Sequence, residues 1–274
     1  MTTKPGPMST TEPWELVAEG YAAEASLVME PFSRRAAGLL APSANARVLD
    51  VAAGPGTLAL ELAPRVKEVV AIDFSERMVS ELLRKASLAN LGNVQVVVGD
   101  GQALPFGDAE FDAGFSMFGL MFFPDRAQGF RELWRVLKPS AGAVVSSWAS
   151  FDQSSLMRAM FGALAATDPT FVLPMKDVAS LENPDVLAAE MRAGGFERVR
   201  VEPVSHSIQP AGPEDFWQRL VRSSAPLLLL KKRLGDAEWQ RREPLALAYL
   251  SEALETDPVL STTALLAIGY KPAT

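Results

Sequence analysis

Three aspartates end short apolar runs at regular intervals along the chain: Arg47-Val-Leu-Asp50, Val69-Val-Ala-Ile-Asp73 and Val94-Gln-Val-Val-Val-Gly-Asp100. The first run leads into the glycine turn Gly54-Pro-Gly56 and the start of a helix. Glycines let a ligand lie against bare backbone, and the unpaired N–H groups of a helix N-terminus attract a negative group. These features predict a site for a nucleoside ligand with a carboxylate tail.

The glycine turn alone does not decide which nucleoside is bound. Gly54-x-Gly56-x-x-Ala59 also satisfies the dinucleotide fingerprint, with Asp73 about 20 residues further on as the ribose acid. Asp50 favours S-adenosylmethionine, because a carboxylate before the turn repels a pyrophosphate but suits an amino group and a sulfonium. Asp100 can accept a hydrogen bond from an adenine amino group, and Gly101 leaves room for the ring.

The elements around these aspartates predict how they are positioned. Two helix-like stretches, Leu58 to Arg65 and Glu76 to Ala89, lie between the three runs. A β-α-β-α-β rhythm of buried strands and covering helices is typical of a parallel sheet wound right-handedly. Ligands of such sheets bind at the carboxyl ends of the strands, where all three aspartates fall.

The remaining elements follow the same rhythm. They are a loose segment (Met1 to Pro13), amphipathic helices (Trp14 to Leu40), a strand (Phe111 to Phe115), a helix (Arg126 to Leu137), a turn (Lys138 to Gly142), a strand (Ala143 to Trp148), helices (Ser154 to Thr167 and Pro184 to Gly194), an edge strand (Phe196 to Val204), two or three helices (Glu214 to Glu255) and a final strand (Ser261 to Tyr270). The fold class is α/β, a doubly wound, seven-stranded, mostly parallel Rossmann-like sheet with N-terminal helices and helical lid insertions. We expect a flexible N-terminus with cap helices over 1–45, a cofactor-binding core over 46–150, and lid helices with the C-terminal strands over 151–274.

Four segments resemble the class I S-adenosylmethionine-dependent methyltransferases of the UbiE and type 11 kind: Asp50 to Gly56, Ile72-Asp73, Gly99-Asp100-Gly101, and Leu104 to Asp112. The similarity spans roughly residues 14 to 150. It implies that S-adenosylmethionine is the methyl donor and S-adenosylhomocysteine the product. One position departs from the family, which usually has glycine where this chain has Ala52.

The resemblance also implies a set of cofactor-binding residues. The methionyl moiety would be surrounded by Asp50, Ala52 and Gly54, with Gly56 in the same turn, and the ribose would be held by Asp73. One face of the adenine would be covered by Phe74 and Met78, and its edge would lie against Asp100, Gly101, Gln102 and Ala103. The methyl-transfer pocket after the fourth strand would be lined by Phe115 and Ser116, and the cofactor would be covered by Tyr21. The side chains of Phe118, Met121 and Phe122 are interpreted first as core packing, with ligand contact as the open alternative, because pocket walls are themselves apolar.

The expected reaction is in-line transfer of the methyl group to a small, apolar or aromatic acceptor. A base is needed only if the acceptor is a hydroxyl or a weakly acidic carbon. His206 is the candidate, because it is the only histidine, the residue type best suited to proton transfer at neutral pH, and follows a strand on the cofactor-facing side. Whether oxygen, nitrogen, sulfur or carbon is methylated stays open.

Two long segments exceed the minimal sheet, Ser150 to Asn183 and Gln209 to Leu260, and both are rich in Phe, Leu, Met and Trp. With the helix from Trp14 to Leu40, the first should lie above the carboxyl ends of the strands. We expect these segments to form a lid over an acceptor cavity, with covering helices or a homodimer contact as alternatives. Trp14, Trp148, Phe151 and Trp217 would line that cavity or fill gaps.

The composition restricts partners and chemistry. The formal net charge is −7, which disfavours nucleic acid as a partner, since such binding needs basic patches. The absence of cysteine and the single histidine disfavour disulfides and a metal site. No apolar run reaches the roughly 18 residues of a membrane-spanning helix, and no secretory signal opens the chain, so we expect a cytoplasmic protein without membrane insertion.

Two other functions stay open. One is an NAD-dependent oxidoreductase, motivated by the Gly54 turn and Asp73, although no Tyr-x-x-x-Lys pair is present to handle the proton. The other is a non-catalytic protein that only binds S-adenosylmethionine.

Overall fold

The computed structural model describes residues 7–168, 170–171 and 180–274. The strands are β1 (Arg47–Val51), β2 (Glu68–Asp73), β3 (Val94–Val98), β4 (Phe111–Met117), β5 (Leu137–Trp148), β6 (Glu197–Ile208) and β7 (Leu260–Tyr270). The α-helices are α1 (Thr11–Gly20), α2 (Ser26–Leu40), α3 (Thr57–Leu62), α4 (Glu76–Leu88), α5 (Arg126–Val136), α6 (Ser155–Thr167), α7 (Pro184–Ala193), α8 (Pro213–Ser223), α9 (Ala225–Leu234) and α10 (Asp236–Thr256). A π-helical segment, Tyr21–Ala25, joins α1 to α2.

The strands form a seven-stranded sheet in the order β3-β2-β1-β4-β5-β7-β6. All neighbours are parallel except β7, which runs antiparallel to both β5 and β6. The predicted α/β fold with a mostly parallel sheet is confirmed. Parallel strands place their carboxyl ends at one edge, so Asp50, Asp73 and Asp100 all reach the same edge of the sheet.

The sheet is covered on both faces, which explains why its central strands are apolar throughout. Val48 of β1 packs with Phe32 and Leu58 on one face. Its neighbour Leu49 packs with Phe130 and Leu133 on the other. The alternation of side chains along β1 thus fixes which helices lie on which face.

The segment Lys138 to Gly142, predicted as a turn, is part of β5. Phe111 pairs with Leu137, but the next pair joins Ala113 to Gly142, so the strand contains an irregularity between them. Ser140 has φ of 68° there, and its N–H lies 3.2 Å from the carbonyl oxygen of Lys271. The prediction was wrong because backbone pairing with the end of the chain extends the strand over residues with turn chemistry.

Two other boundaries differ from the sequence predictions. The N-terminal segment predicted to be loose lies partly outside the described residues. Its described part contains a short 3₁₀-helix, Pro7–Ser9, and the start of α1 at Thr11. The edge strand β6 continues to Ile208, because its register with β7 extends through Ile208 paired with Leu260.

Helices α6, α8, α9 and α10 share an apolar core of their own, which includes Leu164, Trp217, Trp239 and Leu250. The excursion between β6 and β7 therefore consists of three helices, as the sequence predicted. Among the described residues no helix is long and apolar enough to cross a membrane.

Candidate active site

Asp73 ties the glycine turn after β1 to the end of β2. Its carboxylate accepts hydrogen bonds from the backbone N–H groups of Gly54, at 2.8 Å, and Ser75, at 2.9 Å. The Ala53 N–H donates to the Ile72 carbonyl at 3.1 Å. Burial raises the pKa of Asp73, although the Ser75 and Gly54 N–H groups oppose that shift. The two strand ends therefore hold a carboxylate and an open turn in one rigid unit.

Asp50 lies at the end of β1 with 1% of its surface exposed. Neither carboxylate oxygen has a hydrogen-bond partner among the described residues. Burial, reinforced by the negative charge of Asp73, raises the pKa of Asp50 to about 8, even though the nearby Ala59 N–H acts in the opposite direction. A buried carboxylate without a partner is costly, so this position suits a ligand that brings a positive charge.

A cavity of about 300 Å³, the smaller cavity, opens at the carboxyl ends of β1, β2 and β4. Its lining includes Tyr21, Ala52, Gly54, Asp73, Phe74, Met78, Asp100, Gly101 and Gln102 from the sequence prediction. Gln102 also donates its backbone N–H to Asp100 at 2.8 Å and accepts from the Asp125 N–H at 2.8 Å. The structure thus brings residues from the π-helical segment to the loop after β3 around one cavity.

Phe115 and Ser116 do not line the smaller cavity. Both lie inside β4 with no exposed surface. The prediction placed them after the strand, but β4 extends to Met117, and the cavity lining from this part of the chain includes Met117, Phe118 and Gly119. Their predicted place on the wall is therefore wrong by about two residues.

Gly56, Ala103 and Asp50 are also absent from the lining of the smaller cavity. Gly56 has φ of 85°, and a Cβ there would lie 2.5 Å from Cγ of Leu82, so glycine is needed for packing against α4. Ala103 is exposed in the turn after β3. Asp50 lies beneath the turn, two residues before the wall residue Ala52.

Ala52 and Gly119 are in direct contact in the lining of the smaller cavity. Ala52 has φ of 55°, a left-handed conformation that glycine adopts more readily. A Cβ built on Gly119 would lie 2.3 Å from the Ala52 Cβ. The alanine at position 52 is thus compatible with the fold because residue 119 has no side chain.

A larger cavity of about 670 Å³ adjoins the smaller one beneath the N-terminal helices and the helices that follow β5 and β6. Five described residues line both cavities: Met8, Trp14, Tyr21, Phe118 and Phe122. Beyond them, the larger cavity is lined mainly by apolar side chains, among them Met29, Met121, Trp148, Phe151, Met157, Met160, Phe161, Ile208 and Phe216. The five shared residues, here called the junction, are where two ligands would meet.

Comparisons with known sequences identify the class of protein to which this pair of cavities belongs. A family model described as "Methyltransferase domain" matches residues 48–140. The demethylmenaquinone methyltransferase of Deinococcus radiodurans is 36% identical over 177 residues, covering 59% of this chain and 72% of that protein. The protein of the same name from Thermus thermophilus is 33% identical, over 64% of this chain and 84% of the relative. The chain belongs to the S-adenosylmethionine-dependent methyltransferases.

The fold agrees with this assignment. The crystal structure of YcgJ from Bacillus subtilis, 21% identical, superposes with a TM-score of 0.60 over 88% of this chain and 99% of that one. The methyltransferase resemblance drawn from Asp50 to Asp112 is therefore confirmed, and the NAD-dependent alternative is not favoured. S-adenosylmethionine is the cofactor of this enzyme family, and the buried, unpartnered Asp50 beside the turn fits its positive charge.

His206 does not line either cavity of the methyltransferase. It lies within β6 rather than after it, opposite Thr262 of β7, and its ring meets that of Phe32 edge-on at 6.3 Å. Phe32 in turn packs edge-on against Phe118 at 5.7 Å, so another ring separates His206 from the junction. The extension of β6 carries this histidine away from the predicted catalytic position.

The aromatic residues considered for the acceptor cavity divide by position. Trp14, Trp148 and Phe151 line the larger cavity. Trp217 is fully buried instead, stacked on Trp239 at 5.5 Å and donating to Glu243 at 2.8 Å. It fills the core between α8 and α10, while its neighbour Phe216 lies on the cavity wall.

Sequence reasoning left the role of part of the junction open. Phe118 belongs to the buried core and also lines both cavities, Phe122 lines both, and Met121 lines the larger one. The sequence contained one signal for a ligand contact here. The apolar run Phe115 to Phe123 directly follows a predicted strand, and in a doubly wound sheet that position lies at the edge where ligands bind. Met8 gave no signal of its own.

Proposed function

We propose that this methyltransferase binds S-adenosylmethionine in the smaller cavity and methylates an apolar, ring-bearing acceptor of metabolite size in the larger cavity. The observation that carries the proposal is the junction, where the two cavities share Met8, Trp14, Tyr21, Phe118 and Phe122. In-line transfer needs the two reacting atoms aligned at roughly 3 Å in a space without water. An apolar junction supports both requirements.

Different residues of the smaller cavity are proposed to bind the ribose, the adenine and the methionyl portion of the cofactor. The Asp73 carboxylate, which has lone pairs beyond the two backbone bonds it accepts, is assigned to the ribose hydroxyls. Asp100 and Gln102 are assigned to the adenine edge, and Phe74 and Met78 to its face. Asp50 and the turn at Gly54 are assigned to the methionyl end. When bound, the cofactor supplies an activated methyl group, so the protein mainly orients the reactants.

The wall of the larger cavity disfavours an anionic acceptor. Among the described residues, Arg219 is the cationic side chain on this wall. It is already paired with Asp215 at 2.9 Å and with Glu24 at 3.1 Å. An anionic acceptor such as a phosphoamine would therefore lack a positive partner there, whereas an aromatic ring would be in contact with Phe, Trp and Met side chains.

The names of the relatives narrow the acceptor class. Those from Deinococcus radiodurans and Thermus thermophilus are demethylmenaquinone methyltransferases. A reduced naphthoquinone is an apolar, ring-bearing molecule that suits the wall described above. We therefore propose the hydroquinone class as acceptor: a ring carbon takes the methyl group as the sulfur–methyl bond breaks, S-adenosylhomocysteine is the leaving group, and the proton that this carbon loses passes to water as the ring regains aromaticity. No role in proton removal is assigned to His206.

The helices over the junction are proposed to act as a lid. The described part includes the π-helical segment, α2, α6 and α8, which all contribute wall residues of the larger cavity. Residues 169 and 172–179 of the first predicted insertion lie outside the described residues. A mainly apolar cavity wall and a net charge of −7 both disfavour a nucleic-acid acceptor.

The proposal is tested with isotope-labelled S-adenosylmethionine and three acceptors under reducing conditions: a demethylmenaquinol analogue with a short isoprenoid tail, an unsubstituted naphthohydroquinone, and phosphoethanolamine. Labelled product is expected from the first two and none from the third. Turnover of phosphoethanolamine with none of either hydroquinone would overturn the assignment of the larger cavity.

A further inference from the structure

The junction contains two side chains that can donate a hydrogen bond, Trp14 and Tyr21. The Trp14 Nε1–H donates to the backbone carbonyl of Met8 at 2.9 Å, a strong acceptor that fixes the indole. The Tyr21 hydroxyl donates to the thioether sulfur of Met29 at 3.0 Å. A thioether is a weak acceptor. Tyr21 is therefore the junction donor whose present bond is most easily exchanged for a better one.

The position of Met29 shows which side the Tyr21 hydroxyl faces. Met29 lines the larger cavity but not the smaller one. The hydroxyl is thus directed toward a side chain of the larger cavity, although the Tyr21 ring borders both cavities and the charge of Asp73, from the smaller cavity, also acts on it. A ligand oxygen entering the larger cavity at the junction would meet this hydroxyl.

The surroundings of Tyr21 keep it in place and protonated. Its ring packs edge-to-face on Trp14 at 6.0 Å, and the segment that carries it is tied to α4 by Lys85, which donates to the Ala22 carbonyl at 2.6 Å. Burial, with a smaller effect from the negative charge of Asp73, raises the pKa of Tyr21 above its usual value. The hydroxyl therefore acts as a donor at neutral pH and not as a base.

We propose that the Tyr21 hydroxyl donates a hydrogen bond to an oxygen atom of the acceptor at the junction, and so selects acceptors that carry a ring oxygen close to the methylated position. The inference rests on the proposed function, because it assumes a ring-bearing acceptor in the larger cavity. It assigns Tyr21 to acceptor recognition, whereas the family resemblance implied a cofactor contact. Hydroquinones and phenols satisfy the requirement, while an alkylammonium or a hydrocarbon edge does not.

The test compares Tyr21→Phe with wild type and with Tyr270→Phe, a matched loss of a hydroxyl at the far end of β7. Three readouts are used: turnover of the demethylmenaquinol analogue, binding of oxidised menadione without turnover, and calorimetric affinity for S-adenosylhomocysteine. We expect Tyr21→Phe to raise the acceptor KM and weaken menadione binding by about 3- to 10-fold, as for one lost hydrogen bond. S-adenosylhomocysteine affinity should stay within about twofold, and Tyr270→Phe should match wild type in all three.

The outcomes separate this inference from the proposed function. Weaker S-adenosylhomocysteine binding by Tyr21→Phe with unchanged menadione binding would overturn the inference and return Tyr21 to the cofactor. Unchanged values in all three readouts would overturn it as well. Menadione binding that depends on Tyr21, without turnover of any hydroquinone, would support the inference and overturn the proposed reaction alone. Absence of menadione binding to wild type, together with no turnover of either hydroquinone, would overturn both.

Discussion

The Asp73 carboxylate accepts a hydrogen bond from the Gly54 backbone N–H at 2.8 Å. This bond joins the end of β2 to the turn after β1, so one side chain both shapes the turn and borders the smaller cavity. A single substitution there is expected to affect ligand affinity in two ways, through a lost ligand contact and through a looser turn.

Asp73→Ala should weaken S-adenosylhomocysteine binding by roughly 10-fold to several hundred-fold, because a hydrogen bond to a charged acceptor contributes about 1.5–3 kcal/mol. Calorimetry on folded protein measures the effect. Asp112→Asn is the matched control, since Asp112 also accepts a backbone N–H, that of Arg47 at 2.9 Å, at the opposite end of the sheet. Equal affinities for Asp73→Ala and wild type would show that the site has been misplaced.

The contact between Ala52 and Gly119 predicts non-additive substitutions. Gly119→Ala should lower the melting temperature, because the new Cβ would meet the Ala52 Cβ at 2.3 Å. Ala52→Gly removes that methyl group. It also relieves the cost of the left-handed conformation at this position, which is about 1–2 kcal/mol for alanine. The double variant Ala52→Gly/Gly119→Ala should therefore be more stable than Gly119→Ala alone, which a double-mutant thermal unfolding cycle measures. Strict additivity would contradict the contact.

Asp50 predicts a dependence of stability on pH. Its pKa is raised to about 8 in the folded protein by burial, and an unfolded aspartate titrates near 3.9. Folding therefore takes up a proton between these values, and the free energy of unfolding contributed by this group falls as pH rises through that interval. Asp50→Asn should raise the melting temperature of ligand-free protein more at pH 8 than at pH 5. Glu252→Gln, which removes the same charge at an exposed site on α10, is the control.

Asp50 also predicts proton release on binding. A positive cofactor in the smaller cavity would favour the charged form of this nearby buried carboxylate, so S-adenosylmethionine binding near pH 7 should release a proton. Calorimetry in two buffers of different ionisation enthalpy measures it. Identical observed enthalpies in the two buffers would contradict this account of Asp50.

The π-helical segment and α8 are joined by Glu24, whose carboxylate pairs with Arg219 and Arg222. Both arginines are about half exposed, so each pair is expected to contribute only about 0.2–1 kcal/mol. Glu24→Gln should speed amide hydrogen exchange in α8 by about 2- to 10-fold, while Glu30→Gln, which breaks a surface pair with Arg34 on α2, should not. Faster exchange only in α2 would count against a lid held by Glu24.

Phe151 and Trp217 should respond differently to truncation, since one lines the larger cavity and the other lies in a helical core. Trp217→Ala is expected to lose about 3–5 kcal/mol of stability, as for a fully buried large side chain. Phe151→Ala should instead raise the KM for the demethylmenaquinol analogue with little change in melting temperature. A stable Trp217→Ala with impaired acceptor binding would reverse these two assignments.

The sequence by itself determined the sheet and the position of the cofactor edge. The apolar runs that end in Asp50, Asp73 and Asp100 are local patterns in the sequence. A parallel sheet brings the ends of such runs to one edge, and this does not depend on the conformation of the loops. The turn at Gly54 could be read in the same way, because positive φ and close backbone approach depend on residues next to each other in the chain.

Only the tertiary structure decided the acceptor side of the site. The junction joins Met8 and Tyr21 to Phe118 and Phe122, which are about a hundred residues apart, so no local pattern specifies their contact. The pairing of β6 with β7 places His206 inside a strand and away from the cavity walls. Packing against α10 buries Trp217 in the helical core instead of on the cavity wall. These outcomes depend on long-range pairing and side-chain packing, which composition and periodicity do not encode.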